Sequence, residues 1–166
     1  MGEAEPRTED GVGFLVRGRF VLIIYGGAAR LHRTRWLFES VEDVTAGRDG
    51  LVALMLIPAG AEPPDAVTRR ENKKRLERLR GRLDLLVTVP MGDAFWISIV
   101  RTVMRGMAMV HRQTGWNLVE STFAAGLDRV CGLPDVPPRT QVVQDALVLC
   151  EALGRDPESI LDGARP

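Results

Sequence analysis

Two runs of consecutive apolar residues, each ending in a proline-bearing turn that leads into a helix, constrain this chain more than any other feature. The first is Val52-Ala-Leu-Met-Leu-Ile57, followed by Pro58-Ala-Gly-Ala-Glu-Pro-Pro64. The second is Leu85-Leu-Val-Thr-Val89, followed by Pro90-Met-Gly-Asp93. Unbroken apolar runs of this length are the pattern of strands buried on both faces, as in a parallel sheet covered by helices. In open α/β sheets, ligands and reacting groups collect outside the carboxyl ends of the strands. Here those ends carry mostly Pro, Ala, Gly and Met, with Glu62 alone and with Asp93 placed to cap a helix. The pattern favours an α/β domain built for contact over one built for catalysis.

The rest of the chain fits around these strands. Gly13–Arg17 and Phe20–Tyr25 are β-rich runs split by Gly18-Arg19, which predicts a hairpin. Residues 28–46 carry Leu31, Trp36, Leu37, Val41 and Val44 at helical spacing, with Gly47 as the stop. Pro63-Pro64 precede a helix over 65–81 whose inward stripe is Asn72, Leu76 and Leu79. Asp93 starts a helix over 94–109, Asn117–Glu120 is a short strand, and Ser121 caps a helix through Val130. Pro134, Pro137 and Pro138 form a linker to a last helix over 140–153. Strands alternating with helices predict βαβ crossovers and a mixed, mostly parallel sheet of about five strands with an antiparallel edge. The expected organisation is a disordered tail over 1–11, an α/β domain over 12–133, and a Pro-rich linker and C-terminal helix over 134–166 that packs on the domain.

Charge and cysteine use narrow the functional classes. Twenty-two Lys and Arg balance 22 Asp and Glu. The whole molecule therefore has no electrostatic attraction to nucleic acid, and none is expected as a partner. No apolar run approaches the roughly 20 residues needed to span a bilayer, so membrane insertion is not expected. The acidic, polar start has no secretory pattern. Cys131 and Cys150 lack metal-site spacing and read as reduced core thiols, which predicts a cytoplasmic protein.

Two surfaces are candidate binding sites. The helix over 65–81 carries Arg69, Arg70, Lys73, Lys74 and Arg78, a candidate partner or anion surface. Glu71–Arg75 and Lys73–Glu77 are i,i+4 pairs suited to a solvated face, and no aromatic residue interleaves to stack bases. The helix over 94–109 has one polar stripe, Ser98, Arg101, Thr102 and Arg105, and is otherwise apolar. A helix on one sheet needs an apolar stripe of only about 100°, so Trp96, Val103, Met104 and Met107 form a candidate interface or pocket. The expected cover is the chain's own last helix; a partner subunit, including a second copy, and a lipid-like ligand are the other candidates. Gly26-Gly27 lack the spacing of a phosphate loop. His32 and His111 have no neighbouring ligand cluster, and Glu42, Asp43 and Glu62 form no facing pair. Catalytic, cofactor and metal sites are accordingly expected to be absent.

The segment Arg82-Leu-Asp-Leu-Leu-Val-Thr-Val-Pro-Met-Gly-Asp-Ala-Phe-Trp96 resembles the penultimate strand, turn and helix start of the STAS domain and its SpoIIAA-like group. Asn117-Leu-Val-Glu-Ser-Thr-Phe-Ala-Ala-Gly-Leu-Asp128 is similar to that group's final short strand and closing helix. The resemblance spans about residues 12–132. It implies a non-enzymatic regulatory or scaffolding module acting through protein contacts in a bacterial cytoplasm. Members that antagonise anti-sigma factors carry a phosphorylatable Ser or Thr just after a buried strand. The matching stretch here, Pro58–Pro64, has no hydroxyl, and Thr68 lies a full turn later. A small-molecule or lipid-binding domain of the same fold, and an enzyme with an unrecognised site, are the alternatives. A closed pocket beneath the helix over 94–109 favours the ligand, a flat Arg-rimmed apolar face favours a protein partner, and polar side chains converging at the strand ends favour an enzyme.

Overall fold

A computed structural model describes residues 5–92, 97–102 and 115–161 of the chain. In chain order the elements are β1 (Arg7–Glu9), β2 (Val12–Arg17), β3 (Phe20–Tyr25), α1 (Leu31–Val44), β4 (Leu51–Ile57), α2 (Ala66–Leu79), β5 (Leu83–Pro90), β6 (Asn117–Val119), α3 (Phe123–Val130), α4 (Arg139–Ala152) and the single turn α5 (Glu158–Leu161). Residues 97–102, between β5 and β6, are helical. The described residues form an α/β fold with one sheet of six strands in the order β1-β2-β3-β4-β5-β6. The first three pair antiparallel and the rest parallel.

The sixth strand corrects the expectation of about five, and it lies where the sequence reads as a disordered tail. Asp10 and Gly11 both take left-handed φ, 46° and 84°, between the paired Glu9 and Val12. Positive φ at both positions is what a two-residue type I′ hairpin turn demands, and Asp-Gly is among its preferred sequences. The turn is tied to α1, because Arg33 donates from Nε to Asp10 Oδ2 at 2.8 Å. The Arg33 and His32 hydrogen bonds hold the Asp10 carboxyl below its ordinary pKa.

Period-two alternation splits each central strand between two cores. Phe20, Leu22, Ile24, Val52, Leu54, Leu56, Val87 and Val89 face one side, where Phe123 and Leu127 of α3 and Val142, Ala146, Leu149 and Cys150 of α4 cover them. Val21, Ile23, Ala53 and Leu86 face the other side, under Leu37 and Val41 of α1 and Leu76 of α2. The sequential strand order accounts for α1 and α2 sharing a face, since successive crossovers of one hand move along the sheet in one direction. Gly126 of α3 lies so close to the sheet that a Cβ there would sit 2.7 Å from Val89 and 3.1 Å from Leu54.

Residues 99 and 100 lie on the α1–α2 side, beside Leu37, Met55 and Leu76. The C-terminal helix lies on the opposite side, so it does not cover the described part of the 94–109 helix. There its apolar stripe, Val142, Ala146, Leu149 and Cys150 at helical spacing, closes the face left bare by α1 and α2. The helix starts differ from expectation by small steps. Asp65 caps α2 by accepting the Thr68 N–H at 2.7 Å, and Thr122, one residue past Ser121, caps α3 by accepting the Ala125 N–H at 3.1 Å.

Candidate functional site

The parallel register brings the carboxyl ends of β3 and β4 side by side, with Ile24 opposite Leu56. The chain then leaves β3 through Gly26-Gly27 and leaves β4 through residues 58–64. These two exits are stitched together: Ala29 N–H donates to the Glu62 carbonyl and Glu62 N–H to the Gly27 carbonyl, each at 3.3 Å. Beneath this stitch, between α1, α2 and the sheet, lies a cavity of about 110 Å³. Its walls include Tyr25, Met55, Ile57, Leu76, Leu86 and Val100. A smaller space of about 40 Å³ adjoins it and shares Leu37, Phe38, Met55, Leu76 and Leu86 as walls.

Among the described residues, few polar groups reach the larger cavity. The Tyr25 hydroxyl is engaged with Thr34 Oγ1 at 3.1 Å. Burial raises the Tyr25 pKa, the Thr34 hydrogen bond only partly offsetting it. Glu62 stands at the exposed edge, 3.8 Å from Arg30 Nη2. Asn72 is the remaining polar side chain in the wall, and its amide makes no hydrogen bond to a described residue. Among the described residues the site is therefore a hydrocarbon-lined cleft with one uncommitted amide, under α1 and α2 near the carboxyl ends of β3 and β4.

The basic helix divides into two faces. Arg69, Arg70, Lys74 and Arg78 are exposed and Lys73 is half-exposed, with Arg69 at the cleft rim, where it donates to the Pro64 carbonyl at 3.3 Å. Arg75 turns the other way and is only 9% exposed. It donates to Glu71 at 2.9 Å and to Glu39 of α1 at 2.6 Å. Hydrogen bonding from Arg75 holds the Glu71 carboxyl below its ordinary pKa. The i,i+4 pair read from sequence as a solvated one is thus part of the α1–α2 junction. Trp96, Val103, Met104, Met107 and His111 lie outside the described residues.

The remaining sequence candidates do not converge. His32 is exposed beside Asp10 at 3.4 Å. Cys131 and Cys150 are free thiols, and burial pushes the Cys150 pKa up to about 11. Among the described residues no group of three or more His, Cys, Asp or Glu is placed to hold a metal ion. None of their helices is long and apolar enough to cross a membrane. Thr68, the hydroxyl nearest the turn after β4, is fully buried and its Oγ1 has no hydrogen-bond partner. A kinase reaching it must first unwind the start of α2. Comparisons with protein-family models, curated proteins and solved structures find no match to this chain.

Proposed function

We propose that this chain is a non-enzymatic binding module of STAS-like architecture whose working site is the α1–α2 cleft, and that the cleft receives a small apolar group. The observation that carries this reading is the hydrocarbon-lined cavity of about 110 Å³ at the carboxyl ends of the strands, beside Ile99 and Val100. Apolar cavities of about 150 Å³ stay dry and bind benzene, and the two adjoining spaces are of that order. The mostly parallel sheet, its antiparallel edge and the closing helix after a short last strand support the STAS-like assignment. The buried Thr68 and the hydroxyl-free turn at 58–64 argue against a phosphorylation switch at this site.

Benzene is the probe for the cleft. It is expected to shift the methyl signals of Met55, Leu76 and Leu86 saturably and to raise the melting midpoint, as any ligand selective for the folded state does. Ala29→Phe at the rim, or Leu76→Phe in the wall, is expected to abolish both effects while the chain stays folded. Unchanged methyl signals at saturating benzene reject the cleft as a binding site.

The exposed cations of α2 favour a second reading, contact with an acidic protein partner. Under it, the R70E/K74E double variant loses retention on heparin, used as a polyanion stand-in, by a large step in eluting salt. A solvated face instead leaves the elution within about 0.05 M of the parent, because so few phosphate-type contacts carry the salt dependence. The double change is expected to alter stability by no more than about 0.5 kcal/mol per site, as usual at surface positions.

A further inference from the structure

The geometry points to a small carboxylate amphiphile as the occupant of the cleft, with its aliphatic body in the cavity and its head between Asn72 and Arg69. This rests on the cleft being the working site. Positions 69, 72 and 76 fall at i, i+3 and i+7 on α2, which sets Arg69, Asn72 and Leu76 along one stripe of the helix. Leu76 lies deepest, shared by the larger cavity and the smaller one toward the sheet. Asn72 stands in the wall of the larger cavity with its amide unengaged. Arg69 reaches over the rim, donating from Nη1 to the carbonyl of Pro64, itself a wall residue, at 3.3 Å. The stripe therefore grades from hydrocarbon, through an amide, to a guanidinium.

The charges at the rim select the sign of the head. Among the described residues, the wall carboxylate Glu62 is paired with Arg30 at 3.8 Å, and Asp65, next to the wall residue Pro64, accepts the Thr68 N–H at 2.7 Å. Arg69 makes no ion pair among the described residues and uses one of its five donors on Pro64. Its planar fork fits a carboxylate, and the Asn72 amide supplies a further donor. A neutral apolar ligand would leave Asn72 without a partner, which costs binding. A longer tail has the adjoining space of about 40 Å³ to enter.

Hexanoate and its uncharged counterpart 1-hexanol test this in the intact chain at neutral pH and low salt, with the Met55 and Leu86 methyl signals as readout. Hexanoate is expected to bind about tenfold more tightly than hexanol, the usual scale for hydrogen bonds to a charged group. Arg69→Gln is expected to remove that preference and leave hexanol binding unchanged. Asn72→Leu is expected to weaken hexanoate and to strengthen or preserve hexanol. Equal affinity of the two ligands for the parent chain overturns the carboxylate head while leaving the cleft as an apolar site. Tighter binding of hexyl phosphate than of hexanoate overturns it in favour of a phosphate head. Failure of benzene, hexanol and hexanoate together overturns the cleft itself.

Discussion

A chain truncated after residue 133 is expected to aggregate or to fail to fold. The deleted segment holds α4, whose Val142, Ala146, Leu149 and Cys150 are fully buried, and Ile160 of α5, which is 1% exposed. These side chains close the sheet face formed by Phe20, Leu22, Ile24, Leu54, Leu56 and Val87. Burying a Val, Leu or Ile side chain stabilises by about 1.5–3 kcal/mol each, so Val142, Leu149 and Ile160 together are worth roughly 5–9 kcal/mol. A domain of this size has a total stability of about 5–15 kcal/mol, and the strand residues beneath α4 lose their cover as well. Size-exclusion chromatography and a thermal melt of the fragment decide the matter. A soluble, monomeric 1–133 chain melting with the full-length protein would show that α4 is not a structural layer.

The role of α4 also marks where sequence reasoning stops. Its boundaries are legible, because Pro138 starts it and Gly154 follows it. Which face it covers is not, because a periodic stripe specifies that a helix packs and not where. The central strands are the most legible part: β4 takes in the whole apolar run Val52–Ile57 and adds Leu51 at its start, since burial on both faces leaves no polar position to blur the ends. β1 is the opposite case. Arg7, Thr8 and Glu9 carry no hydrophobic signal, and the available clue is the Asp10-Gly11 turn, which is easily passed over in a polar terminus.

The candidate site was legible in halves. The inward placement of Asn72 and Leu76 follows from helical spacing, and both do line the cavity. Tyr25, Met55 and Ile57 join them only through the parallel pairing of β3 with β4, a long-range register that no local pattern encodes. Arg75 is the clearest failure. Glu71 at i−4 makes it look like half of a solvated pair, and the decisive partner, Glu39, sits on another helix 36 residues away.

Arg17→Ala is expected to cost about 3–5 kcal/mol, the range for removing one partner of a buried ion pair. Arg17, at the end of β2, donates from Nε to Asp145 Oδ2 at 2.6 Å and from Nη2 to Oδ1 at 2.8 Å, a bidentate fork. The Asp145 side chain is 2% exposed, against 25% for Arg17. Removing the arginine therefore strands a carboxylate in the interior, where Gln141 Nε2 on the same helix, at 2.9 Å, is the side-chain donor left to it among the described residues. Removing the aspartate is expected to cost less, because the Arg17 guanidinium can reach water. The asymmetry follows from burial, and chemical denaturation of both single variants measures it. Arg17→Met combined with Asp145→Leu should recover most of the loss, since a well-packed apolar pair commonly equals a buried ion pair in stability. Recovery in the double variant locates the single-variant loss in the stranded charge. Equal losses in Arg17→Ala and Asp145→Ala, with no recovery when both sites are apolar, would place it in the packing of β2 against α4.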